Sequence, residues 1–195
     1  MPGIVTFAAL AVVTLIIWVI ALNRPPDVTE AAACNPPADN TTSDPTQSKL
    51  GEQVTRASMT EVGPANLADT KIRVLNASGQ GGQAAEVAGQ LRDIGFAEPT
   101  AENDPLYTNN RLACHGQIRF GPGGRAAAAT VWLVAPCVEL FQDQRPDNTV
   151  DLAIGTDFTE LARSDDTEAV LSSLRPEATA PADPTLISKI HSTAC

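Results

Sequence analysis

The stretch KIRVLNASGQGGQAAEVAGQLRDIGF, residues 71–96, constrains this chain most, because its hydrophobic period changes from two to 3.6 across a glycine cluster. Ile72, Val74 and Asn76 alternate with Arg73 and Leu75, the pattern of a short strand with one more buried face. Ala84, Val87, Ala88 and Leu91 then recur at i, i+3, i+4, i+7 and form the apolar stripe of a helix. Gly95 stands where a helix commonly ends in the left-handed conformation. HGQIRFGPGGRAAAATVWLVAPC repeats the logic, with a strand over Gln117–Phe120, a glycine turn, an alanine-rich helix and a stop at Pro136. FAEPTAE is a candidate strand weakened by Pro99, and TVDLAIG alternates Val150, Leu152 and Ile154 as a further strand. TDFTELARSDDTEAVLSSL adds one or two helical turns, and PTLISKIH makes a short closing helix.

Two β-to-α units with strands between and after them predict an α/β fold, a small two-layer β-α-β-β-α-β sandwich with both helices on one face. In that order strands one and three are central parallel neighbours, so both glycine turns leave the sheet at the same edge. The expected organisation is a transmembrane anchor at 1–22, a linker at 23–70, the domain at 71–160, and a helical turn and tail at 161–195 held by a disulfide. The linker is rich in Pro, Ala, Asp, Asn and Thr, with a possible short helix before Val62.

Residues 3–22, GIVTFAALAVVTLIIWVIAL, carry no charge. As a helix they would span about 30 Å, the thickness of a bilayer core. The length of the run and the missing basic leader favour a single retained anchor over a cleaved signal. With 13 Lys+Arg against 23 Asp+Glu the chain has a net charge of −10, and no basic stripe offers a route onto nucleic acid. Anionic lipid would repel it, so membrane contact is expected through residues 3–22 alone.

Cys34, Cys114, Cys137 and Cys195 form no CxxC pair, and only His115 and His191 could join them, so no metal site is expected. An even count at wide spacing fits two disulfides in an oxidising compartment. The predicted location is therefore the cell membrane, single-pass, with the C-terminal domain outside the cytoplasm, although Arg24 alone would weakly favour the opposite orientation. A strand leaving Cys114 advances roughly 17–20 Å. The helix after Gly124 returns about 17 Å. That arithmetic pairs Cys114 with Cys137 and leaves Cys34 for Cys195.

IRVLNASGQGGQAAEVAGQLRDIGF resembles the opening of the LytR C-terminal domain family: strand, VLN, small residue, glycine loop, alanine-rich helix, GF. IRFGPGGRAAAATVWLV and DLAIGTDFTEL resemble its second β-α unit and its closing strand. The family takes its name from proteins that attach glycopolymers to peptidoglycan, in which a catalytic module precedes this domain. The 195 residues here leave no room for that module, so the transferase activity is not expected to carry over. The layout of one membrane helix, a proline-rich linker, a lone domain and four cysteines resembles exported actinobacterial envelope-integrity proteins of this family. That resemblance implies a non-catalytic role in envelope permeability and stress resistance.

No catalytic residues and no cofactor are expected. Cys114 and His115 are adjacent, and neighbouring strand residues point to opposite faces, so they do not make a nucleophile–base pair. Gly79-Gln80-Gly81-Gly82 fits neither GxGxxG nor a P-loop. As a turn, it uses glycines for unusual φ, with Asn76 and Ser78 capping the helix. As a site, it would join GPGGR at one edge, where Asn76, Ser78, Gln80, Gly81, Gly82, Gly123, Gly124 and Arg125 would cradle an anion or a sugar. The expected partner is a cell-wall polymer or an envelope protein. The alternatives are a scaffold for an envelope biosynthesis enzyme and a glycopolymer-processing enzyme.

Overall fold

The computed structural model describes Val13, Thr14, Trp18, residues 33–38, residues 50–192 and Cys195. Among these, six strands form one mixed sheet: β1 (Glu52–Gln53), β2 (Lys71–Asn76), β3 (Ala97–Asn103), β4 (Gly116–Phe120), β5 (Glu139–Gln142) and β6 (Val150–Ile154). Their order is β1-β5-β4-β6-β2-β3. Five α-helices accompany them: α1 (Arg56–Thr60), α2 (Gln83–Ile94), α3 (Arg125–Val134), α4 (Asp165–Ser173) and α5 (Pro184–His191).

The stripe read from the sequence is the buried side of α2: Ala84, Val87, Ala88 and Leu91. Gly95 ends that helix at φ 118°, donating its N–H to the carbonyls of Leu91 and Arg92. β3 is the outermost strand beside β2, where the missing N–H of Pro99 is tolerated. β2-α2-β3 and β4-α3-β5 are each a parallel crossover unit. β6 is buried at every position and lies between them, parallel to β2 and antiparallel to β4.

This topology corrects the predicted strand order. Strands 71–76 and 116–120 are neither neighbours nor parallel. The segment VELFQ supplies β5, which occupies the place beside β4 that the sequence reading reserved for other strands. β6, expected as a closing strand, inserts at the centre.

The five helices α1–α5 pack on one face of the sheet. Ile72, Val74, Ile118, Phe120, Leu152 and Ile154 meet Leu91, Val131, Trp132, Val170 and Ile187 there. Leu75 and Ala153 face the other way, packing with Leu106, Tyr107, Leu112 and Cys114 under loops. That second face also carries charge. Asp151 accepts hydrogen bonds from Arg73 Nε (2.7 Å) and Nη2 (3.0 Å) and from Arg145 Nη2 (2.7 Å).

The two faces explain a second correction. The disulfides are Cys34–Cys114 and Cys137–Cys195, not Cys114–Cys137 and Cys34–Cys195. The length arithmetic was sound along the strand axis, since Gln117 pairs with Glu139 and the two strands start level. Cys114 belongs to the loop-covered face, however, and Cys137 follows α3 on the helix-covered face, so the sheet stands between them. On a chain-entropy estimate each bridge closes a loop worth about 4 kcal/mol.

The supposed linker is also partly domain. Met59 of α1 and Leu67 are buried in the main cluster, and residues 33–38 lie against the second face. Most of the expected anchor at residues 3–22 lies outside the described residues, of which Val13, Thr14 and Trp18 are helical. Among the described residues no helix is long and apolar enough to cross a membrane.

The tail docks through α5. The rings of His191 and Trp132 stack with centroids 3.5 Å apart, and Arg56 lies 5.0 Å from the Trp132 ring. Arg56 ties the corner together by donating to the carbonyls of Pro136 (2.8 Å) and His191 (3.0 Å). His191 is 8% exposed and its Nδ1 is buried without a hydrogen-bond partner among the described residues. Burial, and then the Arg56 charge, push its pKa down to about 4. The unfolded chain binds this proton from about pH 6.5 downward, so stability is complete above that pH and falls as the pH drops toward 4. The full effect is about 3 kcal/mol. Urea unfolding at pH 7 and pH 4.5 is expected to show that loss in the wild type. In His191→Phe, which keeps a stacked ring, the loss should shrink; an identical pH dependence would exclude His191 as its source.

Candidate functional site

β2, β3 and β6 are parallel, and their carboxyl ends finish level, with Asn76 beside both Asn103 and Ile154. In open α/β sheets that edge is where loops gather and ligands bind. The first loop there is the turn that follows β2. Asn76 closes it, its Oδ1 accepting from Gly79 N (3.1 Å) and its Nδ2 donating to Gln80 O (2.7 Å). Ser78 is 1% exposed and spends its hydroxyl inside the turn, 3.0 Å from Asn76 Oδ1 and 2.6 Å from Gln83 Oε1. Both side chains therefore brace the turn rather than cap α2, whose N-cap is Gly82 at φ 85° without a side-chain bond.

The second loop, residues 104–115, contains no helix or strand. Side chains hold it instead. Asp104, 1% exposed, accepts from Leu106 N (2.8 Å) and Arg119 Nη1 (3.2 Å). Its other oxygen lies 2.9 Å from Arg119 Nη2, an ion-pair contact off the hydrogen-bond direction. Arg119 also donates to Gln117 Oε1 and lies 5.6 Å from the ring of Tyr107. Burial raises the Tyr107 pKa, which keeps its hydroxyl a donor, and it donates to Asn35 O at 2.7 Å.

Residues 33–38 cross this loop as a strap. The Asn35 carboxamide donates to Arg111 O (3.0 Å) and accepts from Ala113 N (2.6 Å), as a paired backbone would. Asn110 exchanges hydrogen bonds with Ala38 N and Pro36 O, and the Cys34–Cys114 bridge fixes the strap covalently.

Turn, loop and strand ends enclose an open cavity of about 500 Å3, lined by Asn76, Gly79, Asn103, Thr108, Asn110 and Arg111 among others. Gly79 has φ 77°, and a Cβ there would lie 2.8 Å from Arg111 Nε, so glycine permits the turn to approach the guanidinium.

Of the residues singled out in the sequence, Asn76 and Gly81 reach this cavity. Gln80 and Gly82 line a separate cleft with Glu86 and Phe158, and Ser78 is internal. Gly123, Gly124 and Arg125 are at the opposite edge, because β4 runs antiparallel to β6 and hence to β2. The expected shared cradle is therefore absent. At that edge the chain fills its own turn: Gly121 packs against Arg145 O, Gly124 faces Asn148 O, and Arg125 donates to Gln142 Oε1 at 3.2 Å. Sequence reasoning missed Asn103, Thr108, Asn110 and Arg111. The signal for the last three was the polar run YTNNR between a strand and a cysteine, while Asn103 ends the strand itself.

Cys114 is disulfide-bonded and offers no thiol to His115. Among the described residues no cluster of His, Cys, Asp and Glu is suited to a metal ion.

Residues 69–158 match the family described as LytR cell envelope-related transcriptional attenuator. The cell envelope integrity protein Cei of Mycobacterium tuberculosis is 61% identical over 194 residues, covering 100% of this chain and 89% of that protein. The crystal structure of the soluble domain of a conserved hypothetical secreted protein from Mycobacterium marinum is 67% identical, with a TM-score of 0.74, and covers 75% of this chain and 99% of that one.

The strap predicts a local effect. Each hydrogen bond of Asn35 contributes about 1 kcal/mol. Asn35→Ala, with both disulfides intact, is expected to speed amide exchange in residues 106–113 by roughly tenfold or more and to leave β6 unchanged. Unaltered exchange in that loop would show that the disulfide alone holds it.

Proposed function

Since this chain belongs to the LytR cell envelope-related transcriptional attenuator family, we propose that it is a non-catalytic exported protein that supports envelope integrity by holding a cell-wall component at the carboxyl-edge cavity. The observation that carries this reading is the 61% identity to Cei, sustained over the whole chain. The description of the Mycobacterium marinum relative as secreted supports a domain outside the cytoplasm, as do the two disulfides. Residues 3–22 would serve as its membrane anchor, given their uncharged composition. The non-catalytic part of the reading is supported by Cys114, whose sulfur is committed to a disulfide.

A second reading has its own support. β3 is an outer strand and mostly exposed, and such an edge can accept an extended segment of an envelope enzyme. In that case the protein would scaffold the enzyme rather than hold the wall.

The purified disulfide-intact chain is expected to sediment with protein-free insoluble cell wall at physiological salt. Asn103→Ala combined with Thr108→Ala should reduce retention several-fold without changing thermal stability. If the wild type stays in the supernatant while an envelope enzyme co-purifies from membranes, the scaffold reading replaces wall binding.

A further inference from the structure

We propose that the carboxyl-edge cavity selects an anionic polyol, a sugar unit bearing a carboxylate or a phosphate, with the Arg111 guanidinium as its charge contact. This rests on the binding reading above and specifies the ligand.

Charge is the first observation. The chain carries −10 overall, yet among the described residues this cavity has no available carboxylate, because Asp104 in its wall is paired to Arg119. The other guanidiniums of this face are neutralised: Arg73 and Arg145 by Asp151, and Arg145 also by Asp143. Arg111 is exposed, and among the described residues no carboxylate pairs with it. The cavity is thus a local positive spot on an acidic protein, where an anion is attracted and a cation gains nothing.

Placement is the second. The main chain at Arg111 is fixed on both sides, by Leu112 N donating to Ala77 O (2.9 Å) and by Asn35 Nδ2 donating to Arg111 O (3.0 Å). The Gly79 turn lies directly against the side chain. A guanidinium held this way loses less freedom on binding, and its planar fork suits two oxygens of a carboxylate or a phosphate.

The remaining lining decides between charged and neutral sugars. Asn103 and Thr108 are exposed there and offer the neighbouring donors and acceptors that hydroxyl groups need. Among the described residues no aromatic plate is available for stacking an uncharged ring, since Tyr107 is 6% exposed and lies beside Arg119. Affinity must therefore come from charge and hydrogen bonds. The anion could be a carboxylate of the wall polymer or the phosphate of a lipid-linked precursor.

The test is two-dimensional NMR of the full disulfide-intact chain in neutral detergent, titrated with glucuronate, glucose 1-phosphate and glucose. The two anions are expected to shift the amides of Asn103, Thr108 and Arg111, and glucose is not. The stronger of the two anions names the source. Arg111→Gln should weaken the response at least tenfold, whereas Arg125→Gln, at the opposite edge, should leave it unchanged. An equal response to glucose, no response to either anion, or wild-type binding by Arg111→Gln would each overturn the ligand class. Should the wild type remain bound to insoluble wall in any of those cases, only the ligand class fails; absence of wall retention defeats the binding reading itself.

Discussion

Asp151 lies on the central strand of the sheet, 3% exposed, and its carboxylate is held by Arg73 on the neighbouring strand and by Arg145 from the loop that precedes β6. The rest of the architecture depends on that ion pair being on the correct face. Side chains alternate along a strand, so slipping β6 by one residue would turn Asp151 into the apolar cluster under the helices. A carboxylate left there without its arginines would cost several kcal/mol. The register pairs Arg73 and Arg119 with Asp151 on either side, and from it follows where β2 and β6 end. The cavity is built on those strand ends.

Much of the cavity wall comes from a loop with no repeating backbone pattern, and its hydrogen bonds are supplied by side chains acting in place of a neighbouring strand. The Asp104 carboxylate, the Asn35 carboxamide and the Tyr107 hydroxyl each satisfy a backbone group of the loop or the strap. The strap at 33–38 lies outside the family-matched residues 69–158. What reads as a spacer between anchor and domain therefore completes the domain's second face, and the Cys34–Cys114 bridge makes that arrangement covalent.

Elements whose evidence lay within ten or so consecutive residues were legible. The apolar stripe of α2, its closure at Gly95, the strand at Val150–Ile154 and the closing helix α5 all follow from local period and turn chemistry. β5 was not, because four residues of VELFQ show no decisive period and become a strand only beside β4. The candidate site was half legible. Asn76 and its glycines stand out as a turn, but Asn103 and Arg111 gain meaning only once β3 and the 104–115 loop reach the same edge.

The sequence by itself determined that this chain forms two β-to-α units, which side of α2 is buried, that four cysteines can pair off, and that the surface is acidic. Only the tertiary structure decided that β4 runs opposite to β2, that the two glycine turns therefore separate, and on which face of the sheet each cysteine lies. The physical reason is the range over which each is set. Periodicity belongs to neighbouring residues, whereas strand order and direction are chosen among distant pairings. The entropy of closing loops of different length differs too little to choose between those pairings. The decision falls to burial on both faces at once, with a buried carboxylate and its arginines admitting one register.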